Sequence, residues 1–327
     1  MQVIRNVSLF IVVLVLPLLG EAQPGPINAN QGIIDGPVMR TTIPTKRLIP
    51  YDYQREADVV WSKRVWRSLD MRQKLNHSMY YPLDGYDSDG NWIRHNTHWS
   101  LWTVIKTEIL AGNITVYSPY NPVAYTITDG DQFKYPILPK AGGNYNSDSV
   151  YREELSFYLY MFGEESDVPY VDIYGYDSID QYGNLVYPPR EMMPYSSKDI
   201  VSYKLKEDWF FNKETSTLDV RIIGIAPEIY VRDAQGRITG KKELFWLYFP
   251  ECRYAFNNYL VYNEKNDAQW MSYDDLFWKR RFASTIIKES NVYDRDISTY
   301  RVGVDALLQA EQITEEIRNL EHDFWSY

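Results

Sequence analysis

Asp84, Asp87 and Asp89 stand just before Gly90, and carboxylates closed by a glycine are the raw material of a calcium loop. The run lacks the alternate spacing of an EF-hand and has no glutamate at the twelfth position, so it reads as a hairpin turn. His95 and His98 are spaced i, i+3, which would let two imidazoles share a metal on one helical turn. No HExxH pattern surrounds them and no cysteine is near; His77 and His322 are isolated. The single cysteine, Cys252, lies in Pro-Glu-Cys-Arg without a cysteine-protease signature, and no Gly-x-Ser-x-Gly elbow offers a serine nucleophile. Gly142-Gly143 is followed by neither Gly-Lys-Ser nor Gly-Lys-Thr, and GxGxxG is absent, so phosphate cradling has no support. No catalytic, cofactor-binding or metal-binding residue is therefore expected. A glycosidase pair of carboxylates leaves no mark in sequence, so a glycan-binding or glycan-cleaving protein stays open as the second reading.

The 34 basic residues against 44 acidic ones give a net charge of −10, which argues against nucleic acid as a partner because phosphate binding needs a cationic surface. Aromatic residues make up 16% of the chain, with 29 Tyr and 10 Trp, and these types anchor protein interfaces as well as β-rich cores. With one cysteine no intrachain disulfide can form, so an apolar core must hold the fold, and Cys252 reads as a small buried hydrophobe within it.

The N-terminus carries Arg5, an apolar run from Leu9 to Leu19, and the small residues Gly20 and Ala22. That order reads as a signal peptide over 1–22, cleaved between Ala22 and Gln23. The apolar run is about half the roughly 20 residues of a membrane span. No cysteine follows it to take a lipid, so no lipid anchor and no direct membrane span are expected. Residues 23–50, rich in Pro, Gly and Asn, read as an extended N-terminal arm.

From Asp52 to Asn76, Trp61, Val65 and Leu69 lie four apart, and the spacing predicts a helix with Lys63, Arg64 and Arg67 on a basic side. Strand-like runs follow at Tyr80–Tyr86, Asn91–Arg94, Leu101–Leu110 and Ile114–Tyr117, with a turn at Ser88-Asp89-Gly90. Val150–Met161 reads as a helix. Asp208–Phe211 and Thr217–Ile223 read as paired strands, and a further hairpin turns at Asp233–Gly236 and returns through Leu244–Phe249. The string Asp58–Arg64 is echoed by Asp275–Arg281, again read as a helix with a basic side. Ala306, Ala310, Ile313, Ile317, Leu320 and Phe324 alternate spacings of four and three, the seam of an amphipathic helix. The expected fold class is α+β: mostly antiparallel strands and hairpins with several amphipathic helices. Residues 51–327 would form one domain of two interlocked lobes, with a possible boundary near 140–149.

Three sets of residues are candidate partner contacts: Lys63, Arg64 and Arg67; Arg280 and Arg281; and the seam residues Ile313, Ile317, Leu320 and Phe324. Each has a plainer reading, ion pairs with the protein's own carboxylates for the cations and packing on the protein's own body for the seam.

Several strings resemble the GldN/PorN family. They are Asp58–Arg67 (DVVWSKRVWR), Lys206–Phe211 (KEDWFF), Asp219–Pro227 (DVRIIGIAP), Leu244–Arg253 (LFWLYFPECR) and Met271–Phe277 (MSYDDLF). The resemblance implies a non-catalytic periplasmic scaffold in Bacteroidota, without cofactor. It implies assembly with a GldK/PorK-like outer-membrane lipoprotein into the ring of the type IX secretion system, which serves protein secretion and gliding motility. It also implies coupling to the motor proteins GldL/PorL and GldM/PorM, and a place in the periplasm against the outer membrane through the lipoprotein.

Overall fold

A computed structural model describes residues 48–124, 128–163, 166, 168–171, 176–180, 182–188, 191–233, 235–263, 266 and 271–325. Residues 1–22, read as a signal peptide, and all but 48–50 of the segment read as an arm lie outside the described residues. In chain order the strands are β1 (Val59–Asp70), β2 (Gly85–Tyr86), β3 (Trp92–Ile93), β4 (Val116–Tyr117), β5 (Pro136–Ile137), β6 (Tyr160–Phe162), β7 (Met192–Pro194), β8 (Ile200–Asn212), β9 (Thr217–Arg232), β10 (Ile238–Glu243), β11 (Trp246–Tyr248), β12 (Leu260–Val261), β13 (Met271–Ser272) and β14 (Thr285–Glu289). The helices are α1 (His77–Tyr80), α2 (Leu101–Ala111), α3 (Ser149–Leu159), α4 (Phe249–Phe256), α5 (Tyr273–Trp278), α6 (Ile297–Tyr300) and α7 (Val304–Trp325).

Eight strands form one antiparallel sheet in the order β14-β1-β8-β9-β11-β4-β5, with β10 also paired to β9; β2–β3, β6–β7 and β12–β13 are separate ribbons. The fold is α+β, as expected. Its spine is the three long strands β1, β8 and β9, whose registers run nearly the length of each strand. β9 changes outer neighbours along its course, pairing β11 at Gly224 and Ile225 and β10 from Glu228 onward. The change falls at Pro227, whose carbonyl accepts from Leu244 N at 2.9 Å on that side. A residue's N–H and C=O point to the same side of an antiparallel strand, so the ladder breaks where no donor exists to be left unpaired.

The hairpin that turns at Asp233–Gly236 returns through β10, Ile238–Glu243, and not through Leu244–Phe249, and two longer elements also differ from the sequence reading. Val59–Asp70 is a strand, where the four-residue spacing of Trp61, Val65 and Leu69 predicts a helix. Four is also an even number, so these residues share a strand face as well as a helix face. Val59, Val60, Val65, Trp61 and Trp66 favour the pleated form, and pairing with β8 through eleven positions decides it. Conversely Leu101–Ala111 is a helix, where β-branched and aromatic residues predict a strand. Ser100 caps it by accepting from Thr103 N at 3.3 Å, and Gly112 ends it at φ 79°. Eight of its eleven residues are buried, which removes the polar face that reveals helical period. The echo of Asp58–Arg64 in Asp275–Arg281 thus joins a strand to a helix that ends at Trp278, and Arg280 and Arg281 lie beyond that helix.

The main core lies on one face of the sheet, where Leu69 and Leu205 pack with Trp102 and Ile105 of α2, Phe249 and Phe256 of α4, and Phe277 of α5. Cys252 is fully buried there, and burial pushes its thiol well up, as for a small core hydrophobe. A second cluster joins Val65 and Ile286 to Ile297 and to Ala310, Ile313 and Ile317 of α7. A third gathers Trp66, Ala226 and Trp246 with Phe133. At Gly224 an added Cβ would stand 2.6 Å from the Phe133 ring and 3.2 Å from Trp246, so only glycine lets this ring lie against β9.

Candidate interaction surface

The three basic residues of β1 point to both faces of the strand, and each meets a carboxylate of the protein itself. Lys63 Nζ lies 2.5 Å from Glu289 on β14. On the other face Arg64 forms a fork of 2.6 and 2.7 Å bonds to Asp208 on β8. Arg67 is buried with its Nε 3.1 Å from Glu207, and burial lowers its pKa. Arg280 reaches the same Glu207 with bonds of 3.0 and 3.1 Å, although 73 residues separate them. Trp209 Nε1 donates to Glu207 at 3.1 Å, and both guanidinium groups lie over the Trp209 ring.

Glu207 is fully buried, and two cations with an indole donor are what make that tenable for an ionised carboxylate. The string Lys206-Glu207-Asp208 therefore has a structural reason: Lys206 meets Asp131 at 3.3 Å, Glu207 takes Arg67 and Arg280, and Asp208 takes Arg64. Met271–Phe277 has another. Ser272 caps α5, Tyr273 donates to the Trp99 carbonyl at 2.8 Å, and buried Asp274 receives a fork of 2.7 and 3.1 Å bonds from Arg253. Arg253 also donates to the Ile49 carbonyl at 2.8 Å, with Tyr51 stacked on Trp278 beside it. This group borders a cavity of about 230 Å³ lined by Arg221, Phe210 and Asp219.

Arg281 is exposed, and its nearest polar contact is the Met271 sulfur at 3.8 Å. Ile313 and Ile317 are buried against Val65 and Ile286, Leu320 is half-buried, and the side chain of Phe324 lies outside the described residues. Ala22 and Gln23 also lie outside them. Asp84 accepts from Trp92 Nε1 and Ser197 N at 2.5 and 2.6 Å, and Asp87 and Gly90 close the β2–β3 turn. His95 faces the Leu83 carbonyl at 3.1 Å, while His98 lies against the Tyr262 ring, neither in a helix. No cluster of three metal-ligating side chains occurs among the described residues.

The surface that sequence reasoning missed lies between α3 and β8. Among the described residues, thirteen large apolar side chains from Phe157 to Met193 are exposed, Tyr182 by 88% and Phe157 by 62%. Its stem is the ribbon β6–β7, in which Met161 opposes Met193 and Phe162 opposes Met192. Opposed pairs alternate between faces, so both faces of this ribbon carry half-exposed methionine or phenylalanine. A two-stranded ribbon with apolar residues on both sides buries too little to be a core element; it has the chemistry of an interface anchor. The available signal was the pair Met192-Met193 beside so many tyrosines, read instead as generic β-rich sequence.

An α+β protein on an antiparallel sheet, with its charged strings paired internally and a run of exposed apolar side chains on one excursion, has the features of an interaction protein. Residues 54–326 match the family described as gliding motility associated protein GldN, and the chain belongs to that family. No curated protein matches it. The family is one of components of gliding motility and type IX secretion. No helix among the described residues is long and apolar enough to cross a membrane.

Proposed function

We propose that this chain is a non-catalytic periplasmic scaffold that assembles with a GldK/PorK-like outer-membrane lipoprotein into the ring of the type IX secretion system. Coupling to GldL/PorL- and GldM/PorM-like motor proteins belongs to the same reading. The observation that carries it is the excursion from Phe157 to Met193, which offers methionine and aromatic anchors over a long stretch of surface. Protein is favoured over an anionic membrane as its partner, because among the described residues the exposed acids Glu153, Glu154, Asp177, Asp180 and Glu191 around it outnumber the exposed cations Arg152 and Lys198. The ion-paired state of Lys63, Arg64, Arg67 and Arg280 supports a structural rather than a docking role for them.

Residues 23–327 co-expressed with the neighbouring lipoprotein, purified through this chain and viewed by negative stain, should yield a co-purifying ring. Met161→Ser with Met193→Ser should weaken retention of the lipoprotein without unfolding the chain, since both side chains are about half exposed. A monomer without lipoprotein that is retained on peptidoglycan would overturn the proposal in favour of glycan binding.

A further inference from the structure

Helix α7 buries one side and leaves the other free. Ala310, Ile313 and Ile317 face the sheet, while Val304, Leu308, Glu311 and Glu315 recur at i, i+4, i+7 and i+11 on the opposite side. Val304 is 70% and Leu308 62% exposed, and Glu311 and Glu315 follow, with Arg318 at i+14 lying 3.6 Å from Glu315, so the stripe begins apolar and continues net acidic. Such a stripe matches an apolar groove rimmed by cations.

The same protein carries that groove. Leu75, Tyr262 and Met271 line a groove of about 510 Å³, and the exposed cations Lys74 and Arg281 stand on its rim. Among the described residues neither cation is paired with a carboxylate, in contrast to Lys63, Arg64, Arg67 and Arg280. Leu75 is 57% exposed. The two surfaces share no residue and have opposite charge around like apolar centres. In a protein of net charge −10, general repulsion between copies is relieved only where such a local basic rim meets an acidic face.

We infer that the outer face of α7 on one copy docks in the Lys74/Arg281 groove of a second copy, a head-to-tail contact. Unlike a two-fold contact, it leaves one free surface of each kind, so further copies add and close into a ring when the rotation allows. The inference rests on the scaffold reading and names the contact between its copies.

The test uses the full chain, with its own export signal, in its native bacterium. Cys252 is buried, so introduced cysteines are the reactive ones. Leu75→Cys and Leu308→Cys are both exposed positions, and protein abundance controls for folding. Under mild oxidation, cells holding a mixture of the two single variants should give a crosslinked dimer, and the double variant should give a ladder on a non-reducing gel. Glu311→Lys with Glu315→Lys should lower the crosslink yield about tenfold, and Lys74→Glu with Arg281→Glu in the same chain should restore it. Absence of a ladder, dimers of Leu308→Cys alone, or a yield indifferent to charge reversal would each overturn the contact. Lipoprotein co-purifying without a ladder sinks this contact and leaves the scaffold reading standing; loss of both sinks both.

Discussion

Arg280 holds Glu207 with two bonds of 3.0 and 3.1 Å, joining the loop after α5 to a fully buried carboxylate in β8, between β1 and β9. Glu207 lies between Leu205, which belongs to the main core, and Trp209, which packs with the α7 cluster, so this pair ties two apolar clusters on one sheet face. Glu207→Gln leaves Arg67 and Arg280 without their counter-charge and should cost about 3–5 kcal/mol, measured by urea unfolding. Replacing all three by apolar residues, Glu207→Leu with Arg67→Met and Arg280→Met, should recover much of that loss. A triple variant as unstable as Glu207→Gln would mean the cost is steric.

Arg253 serves the start of the described chain in a similar way. Its fork on Asp274 uses Nε and one hydrogen of Nη2, the other Nη2 hydrogen goes to the Ile49 carbonyl, and its guanidinium lies 4.3 Å from the Tyr51 ring centre. In Arg253→Met, chymotrypsin should cut after Tyr51 at least as readily as after Tyr53, which is 89% exposed in the parent protein. A parent-like digestion pattern would show that Trp278 stacking and Arg221, which donates to the Asp52 carbonyl and lies over Tyr51, hold the segment without Arg253.

Gly224→Ala should destabilise the protein by about 1–3 kcal/mol, because its Cβ would fall 2.6 Å from the Phe133 ring. Phe133→Leu in the same chain should restore part of the loss, since the second contact, with Trp246, is longer at 3.2 Å. Thermal melting of the two variants separates a packing clash from a backbone effect.

Lys106 is 4% exposed, donates to the Tyr195 carbonyl at 3.1 Å and to the Tyr86 hydroxyl, and lies over the Trp92 ring. Burial lowers its pKa to about 8, against the pull of Asp84 and Asp199 toward the charged form. Between about pH 8 and the ordinary lysine value of 10.5 the unfolded chain keeps a proton that the folded chain has released. Stability therefore rises with pH across that window, by about 3 kcal/mol in all. Lys106→Met should remove this slope from the difference between the two proteins' urea midpoints. A slope unchanged by the substitution would place the titration elsewhere.

Much of the fold was legible from local chemistry. Asp-Gly and Gly-Asn marked the β2–β3 turn, alternation marked β9 and an aromatic run the end of β8, and the α7 seam marked the side that meets Val65 and Ile286. The family strings were legible too, as strings. Their reasons were not: that Glu207 would accept Arg67 and Arg280, or Asp274 accept Arg253, depends on residues far apart in sequence brought within 3 Å or so by the fold.

The amino-acid sequence by itself determined the α+β class, the acidic balance and the amphipathic end of the chain, because composition and short periods are local properties. Only the tertiary structure decided that Val59–Asp70 is a strand and Leu101–Ala111 a helix, since a spacing of four suits both periods and a fully buried helix shows none. It also decided which charges are paired. Arg64 and Arg281 are the same residue type in similar strings, yet Arg64 is forked onto Asp208 and Arg281 stands at a groove rim, because a carboxylate lies across the sheet from one and not from the other.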